Sequence, residues 1–195
     1  MVNISEERTR ACTTLLAEVR EITGGDSVSS DSLEAIKARL VLLGQKTELF
    51  PRTDFSLPVA QGRNHVLLAE RDDGYGLYLT INLPGKIAAP HDHGIWCVNA
   101  AVSGRERHEL YRRTDDGTVP GVASVEKTGE VIVEPGTGLA LADHDIHATE
   151  VVGDDAAIAL ALYGYALTRF PSVLWYQPKF GSVRAMPSRR AVSPR

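Results

Sequence analysis

Beyond Pro51 the chain is written in short segments of alternating apolar and polar residues, with no helix-length apolar stripe between them. In residues 77–83 the odd positions Leu77, Leu79, Ile81 and Leu83 are apolar, whereas Tyr78, Thr80 and Asn82 are not. A strand turns successive side chains to opposite faces, so this pattern buries one face against a core. Residues 66–69, 96–102, 108–112, 130–134, 139–142, 148–152, 156–163 and 173–176 are further strand candidates, and Asp73-Gly74 and Asp116-Gly117 punctuate them as turns. Parallel strands need crossover connections of about a dozen residues, usually helical. Their absence predicts a mainly β, antiparallel sandwich or barrel.

The first fifty residues differ. Ala11, Leu15, Leu16, Val19 and Ile22 recur at spacings of three and four within residues 4–22, one stripe of a helix that Gly24-Gly25 would end. A second helix is predicted to begin after Ser30 or Asp31, to bury Leu33, Ile36, Leu40 and Leu43, and to end near Gly44. Neither helix carries a cluster of reactive side chains, so both are expected to pack on the outside of the β structure. A chain of 195 residues suits one domain. The expected layout is a helical segment over residues 1–50, a barrel over 51–180, and a basic tail over 181–195. That tail, with Arg184, Arg189, Arg190 and Arg195 and no acid, is expected to be mobile or loosely docked.

Lys and Arg number 21 against 25 Asp and Glu, a formal charge of −4, which argues against a nucleic-acid backbone binder. Two cysteines, Cys12 and Cys97, make no disulfide framework. The first dozen residues hold no apolar signal-peptide core, and no apolar run approaches the length of a membrane span. The expectation is a cytoplasmic protein, monomeric or a small homo-oligomer, whose partners are small molecules, with neither nucleic acid nor membrane among them.

The chemistry concentrates in two places. Residues 84–97, PGKIAAPHDHGIWC, place His91 and His93 two apart. On a strand, two such side chains share a face with Cα atoms roughly 6.5–7 Å apart, and their neutral ring nitrogens can converge on one metal ion. Residues 143–148, DHDIHA, supply a third imidazole from His144 or His147 if that strand lies across the barrel. Four of the six histidines fall in these two clusters. The competing reading is a pair of surface histidines on an exposed strand face. His65 and His108, with no cluster around them, read as ordinary polar positions.

Gly85, His91-X-His93, Cys97 and Gly104, separated by five, three and six residues, resemble the first cupin motif, with Cys97 where most cupins carry glutamate. Gly129, Pro135, Gly138 and His147 resemble the second motif with looser spacing. Over residues 57–178 the chain is similar to cupins of the thiol dioxygenase group, which includes cysteine dioxygenase and 3-mercaptopropionate dioxygenase. The resemblance implies a cupin double-stranded β-helix, a jelly-roll-like barrel, preceded by the helical pair. It implies Fe(II) as cofactor, held by His91, His93 and His147, with His144 a loop residue or an outer partner. The implied reaction adds both atoms of O2 to the sulfur of a small thiol carboxylate and yields a sulfinic acid. Three neutral ligands leave the ion's 2+ charge unneutralised, which suits an anionic thiolate.

The same resemblance assigns further residues. Its Ser-X-His-X-Tyr segment falls on Ala159-Leu160-Ala161-Leu162-Tyr163, where only the tyrosine is kept. Tyr163 is then a catalytic candidate, able to donate a hydrogen bond to bound substrate or oxygen. The two alanines imply a larger, more apolar pocket. Cys97 shares the parity of the histidines and is either a thioether partner of Tyr163 or a core cysteine. Arg63 and Arg169 are the candidates for binding a substrate carboxylate, because a guanidinium can do so bidentately. Trp96 is read as packing. Two other functions fit the same residues: a metal-dependent cupin oxygenase for a larger or non-thiol substrate, and a metal-bound cupin that binds a small ligand without turnover. Imidazoles alone do not separate iron from nickel, manganese or zinc.

Overall fold

The computed structural model describes residues 3–24, 28–58, 62–72, 74–169 and 172–187. Helix α1 (Ile4–Thr23) opens where Asn3 Oδ1 accepts a hydrogen bond from the Ser5 amide, and it closes at Gly24, whose φ of 60° suits a residue without Cβ. Helix α2 (Ser30–Gly44) is capped by the Ser29 hydroxyl, which accepts from the Ser32 amide. Eleven strands follow among the described residues: β1 (Arg63–Glu70), β2 (Gly76–Asn82), β3 (Ile87–Asp92), β4 (Cys97–Ser103), β5 (Glu106–Arg113), β6 (Val125–Val133), β7 (Gly138–Leu141), β8 (Ile146–Val151), β9 (Ala157–Tyr163), β10 (Ser172–Gln177) and β11 (Ser182–Pro187).

They form two antiparallel sheets, in the orders β1-β2-β9-β4-β7 and β11-β10-β3-β8-β5-β6. The alternation read from the sequence decides what each face of the first sheet meets. Leu77, Leu79 and Ile81 of β2, Val98 and Ala100 of β4, and Leu160 and Leu162 of β9 pack with Leu15, Leu16, Val19, Ile36 and Leu40 of the helices. The opposite face turns Tyr78, Cys97, Ala101, Ala161 and Tyr163 inward, against Val133, Leu139 and Val173. Strands β2 and β9 are therefore buried on both faces. Polar contacts join the sheets across the interior: Arg63 Nη2 donates to Thr149 Oγ1 at 2.8 Å, and the Asn82 amide donates to the Glu106 carboxylate. Two antiparallel sheets with N-terminal helices on one outer face are consistent with a cupin-like fold.

Leu160 is fully buried between α2 and the first sheet. Leu160→Ala should lower unfolding free energy by about 2–5 kcal/mol, the range for deleting a buried leucine. Urea denaturation measures this, and a loss below about 1 kcal/mol would mean that the helices are not docked on the sheet.

Two expectations are corrected. Part of the basic tail is ordered: residues 182–187 form β11, antiparallel to β10, with Arg184 opposite Trp175. Backbone pairing holds this segment, and charge composition does not report on it. Arg189, Arg190 and Arg195 lie outside the described residues. Second, the strand carrying His147 does not lie across the interior from the His91 strand. It is the neighbour of β3 in the same sheet, with His91 and His147 directly in register. Strand β3 itself, Ile-Ala-Ala-Pro-His-Asp, has no clean alternation. Its pairing with β8 shifts between Ala88 and His91, around Pro90, which has no amide hydrogen to donate.

No helix among the described residues is long and apolar enough to cross a membrane.

Candidate metal centre

His91 sits near the end of β3, His93 just beyond it, and His147 on β8. One ring nitrogen from each lies within 4.8 Å of the others. His91 and His147 are 3% exposed. Asp92, buried between the two β3-end histidines, pins the turn: its carboxylate accepts from the Gly94 amide at 2.9 Å and from the Tyr176 hydroxyl at 2.8 Å. Tyr176→Phe should therefore loosen this turn and cost about 1.5–3 kcal/mol, the usual loss for a hydrogen bond to a charged group. A thermal melt unchanged by the substitution would show that the pair contributes nothing. Trp175, opposite His91 across β10 and β3, stacks on the His91 ring at 5.0 Å and 15°.

The ring nitrogens available for a metal follow from hydrogen bonding. His91 Nδ1 lies 2.8 Å from the Ala89 carbonyl oxygen. A carbonyl only accepts, so Nδ1 carries the proton and Nε2 the lone pair. His147 Nε2 and His93 Nε2 face each other at 3.4 Å. Two imidazole nitrogens bound to one ion at about 2.0–2.1 Å would stand about 3–3.4 Å apart, so the spacing fits a shared divalent ion. Burial holds His93 and His147 well below the ordinary imidazole value, with the neighbouring histidines adding to the effect. Both are neutral, as ligands must be. The two buried side-chain atoms without a hydrogen-bond partner among the described residues are His93 Nδ1, within the cluster, and His108 Nε2, on the ring stacked against His147. His91, His93 and His147 are thus a buried three-histidine site able to hold a divalent metal.

A cavity of about 230 Å³ opens over the cluster. Strands from both sheets line it, and five of the six histidines border it, all but His144. Arg63 lines it as well. Its Nε donates to Asn82 Oδ1 at 2.5 Å, which leaves Nη1 without a partner among the described residues. Tyr163 lines it with its ring 5.3 Å from that of His93, and burial pushes its hydroxyl pKa upward. Cys97, the register partner of Tyr163 on β4, is buried behind the lining. Burial raises its thiol to about 12, with the Asn99 amide opposing that shift. A neutral, covered thiol is a poor nucleophile. Native protein should accordingly resist iodoacetamide at Cys97 and react on unfolding, as mass spectrometry of the tryptic peptide would report.

Other candidates fall elsewhere. Arg169 is exposed, donates to the Asp72 carbonyl and pairs with Glu70 at 3.5 Å, and it does not border the cavity. The segment after β9 turns away from the centre, which places this guanidinium on the outside. His144 has a φ of 67° on the turn before β8, and its side chain is exposed, 3.9 Å from Asp92. Trp96 packs with Tyr75 beneath the helices. Ala159 and Ala161 do not border the cavity, where Thr80, Asn99 and Tyr163 stand instead. Leu167, Val173, Trp175 and Met186 supply the apolar part of the lining, beside the polar side chains.

Sequence reasoning missed His65, His108, Glu106, Asn82 and Thr149 as cavity residues. His108 is 1% exposed, stacked on His147 with ring centroids 5.4 Å apart and 20° between planes. Burial lowers it to about 3, with the Arg63 charge adding to the effect. Burial raises Glu106, and Arg63 and Asn82 oppose that shift. The signal for them was parity: Arg63 and His65, Thr80 and Asn82, and Glu106 and His108 are each two apart on strands whose inner face could have been extrapolated.

The chain matches no protein-family model and no curated protein sequence. Among solved structures it is similar to oxalate oxidase in complex with the substrate analogue glycolate, at 13% identity over 64% of this chain and 60% of that one, with a TM-score of 0.47. It is also similar to KdgF from Halomonas sp., at 16% identity over 60% of this chain and 92% of that one, TM-score 0.43. The cupin domain of an XRE family transcriptional regulator from Enterobacter cloacae gives 17% identity over 54% and 98%, TM-score 0.39. None of these likenesses assigns a role to a residue of this chain.

Proposed function

We propose that this chain is a cupin-type, metal-dependent oxygenase acting on a small anionic substrate, with Fe(II) held by His91, His93 and His147. The observation that supports this most is the convergence of three largely buried imidazoles in a small cavity that also presents the Arg63 guanidinium. An iron ion bound there supplies a Lewis-acid site and the electrons that make O2 reactive.

The chain's own residues do the rest. Arg63, braced by Asn82 and Thr149, can turn Nη1, which has no partner among the described residues, to a carboxylate. Tyr163 offers a hydroxyl that stays protonated and can donate a hydrogen bond beside His93. The cavity admits roughly eight water-sized groups, at about 30 Å³ each. A three-carbon thiol carboxylate matches that size, and its sulfur would be drawn to an ion whose protein ligands are all neutral. Oxygenation of such a thiol to its sulfinic acid is the finer reading. Ala159 and Ala161, in place of the hydroxyl and imidazole usual before the tyrosine in thiol dioxygenases, favour a second reading in which the anion carries no thiol.

Anaerobic Fe(II) reconstitution followed by O2 uptake tests both, using cysteine, cysteamine, 3-mercaptopropionate and mercaptosuccinate beside thiol-free carboxylates of the same size. One O2 consumed with a gain of 32 mass units supports the thiol reading. Uptake only with a thiol-free carboxylate supports the second. Iron bound with no uptake throughout would leave a ligand-binding protein. With an active substrate, Arg63→Leu should raise KM by roughly 10–100-fold, the loss of one charge-assisted contact of about 1.5–3 kcal/mol. Arg169→Leu should leave KM unchanged.

A further inference from the structure

The cavity wall carries a row of five side chains joined by three hydrogen-bond contacts and one charge contact. Arg63 stands at the head; a guanidinium has only donors and stays protonated in proteins. Its Nε donates to Asn82 Oδ1, so the amide nitrogen of Asn82 faces the other way and donates to Glu106 Oε1. Glu106 Oε2 lies 3.8 Å from His108 Nε2, beyond hydrogen-bond reach but near enough for its charge to act on the ring. A carboxylate on that side favours the ring tautomer with its proton on Nε2, which leaves His108 Nδ1 as an acceptor. His108 Nδ1 lies 3.2 Å from His147 Nδ1. Two ring nitrogens in contact need one donor, and His147 is then the donor through Nδ1. Its Nε2 is left with the lone pair, facing His93 Nε2. Asn82, Glu106, His108 and His147 are each less than 7% exposed, so water does not compete at the links.

We propose that His108 is a positioning residue for the metal centre: Arg63, acting through Asn82 and Glu106, orients His108 so that it selects the His147 tautomer whose Nε2 can bind a metal. This rests on reading His91, His93 and His147 as the metal centre. Free histidine side chains favour the opposite tautomer in water, with the proton on Nε2, so without this chain the third ligand would have to rearrange before binding. Outer partners of metal-bound histidines commonly fix tautomer and ring orientation, and losing one typically costs 10–100-fold in metal affinity.

Two measurements on the full chain test it. In the metal-free protein labelled with 15N-histidine, long-range 1H–15N spectra should show His147 protonated on Nδ1 and His108 on Nε2. His147 protonated on Nε2 would overturn the proposal, whether or not any metal binds. Cobalt(II) titration, read by its visible spectrum, supplies the second arm. Wild-type protein should bind one equivalent. His108→Phe, which keeps a ring but no acceptor, should bind roughly 10–100-fold more weakly. His108→Asn, whose Oδ1 can stand near the former Nδ1, should recover most of that loss. Equal affinity in wild type and His108→Phe would overturn the proposal, as would His108→Asn being no better than His108→Phe. Wild-type protein that binds no cobalt would instead overturn the metal reading, and the tautomer spectra would still decide the wiring.

Discussion

His147→Ala should bind no stoichiometric Fe(II) or Co(II) and show no metal-dependent turnover, while the metal-free variant still folds. Three imidazoles are the whole protein contribution to the centre, since no carboxylate or thiolate joins the cluster among the described residues. Removing one leaves two neutral nitrogens, too few to hold a divalent ion at micromolar concentration against water. His91→Ala and His93→Ala should behave alike. The fold should survive because His147 lies between paired strands β3 and β5, whose backbone hydrogen bonds do not depend on the ring. Metal content by atomic emission with circular dichroism of the same samples checks this. A His147→Ala variant retaining one tightly bound ion would show that the centre lies elsewhere.

Acid should destabilise the metal-free chain steeply. His93 and His147 are held well below the ordinary imidazole value, and His108 is held at about 3, in each case chiefly by burial. The unfolded chain takes a proton on each below about pH 6.5. The native chain does not until the pH is far lower. Unfolding therefore binds protons, and stability present above pH 6.5 is lost as pH falls toward 3. Glu106 acts in the opposite sense, because burial raises it and, as pH falls, the native state takes up this proton before the unfolded state does. The balance is an uptake of about two protons. At about 1.36 kcal/mol per proton per pH unit, stability should fall by roughly 2–3 kcal/mol for each unit of pH between about 6 and 4.5. Most of the roughly 5–15 kcal/mol typical of a domain would be gone within a few units. Urea unfolding across that range gives the slope directly, and an uptake below one proton would mean that the cluster is already charged or hydrated in the native state. Bound metal should steepen the dependence further, since protons then compete for the same nitrogens.

The strand pattern was legible in β2, where Leu77, Leu79 and Ile81 alternate with Tyr78, Thr80 and Asn82, and in β9, where large apolar residues alternate with alanine, although both strands are buried on both faces. Both helices were legible through their stripes, and the first through Gly24 at its end, whereas the second starts at Ser30 behind a Ser29 cap, slightly earlier than the pattern suggested. Strand β3 was not, since Pro90 and two alanines carry neither pattern, although it bears His91. Strand β11 was not, because a short edge strand is held by ladder bonds to β10 that any sequence can make. His91, His93 and His147 were readable as a set, the first two from their spacing and the third only with the help of a resemblance. Arg63 and Arg169 were equivalent as letters. The structure separates them because β1 carries Arg63 into the interior, whereas the turn after β9 leaves Arg169 on the surface.

By itself the sequence determined a β-rich chain with two external helices and a histidine pair suited to a metal. Local periodicity and spacing record which face of an element is buried, and so those properties survive in one dimension. Which strands become neighbours was decided by the tertiary structure alone. That choice sets His147 in register with His91, stacks His108 behind it, and brings Arg63, Asn82 and Glu106 from two sheets into one polar chain. Those residues lie up to 84 positions apart in the sequence. Only burial between the sheets, where each polar group must find a partner, joins them.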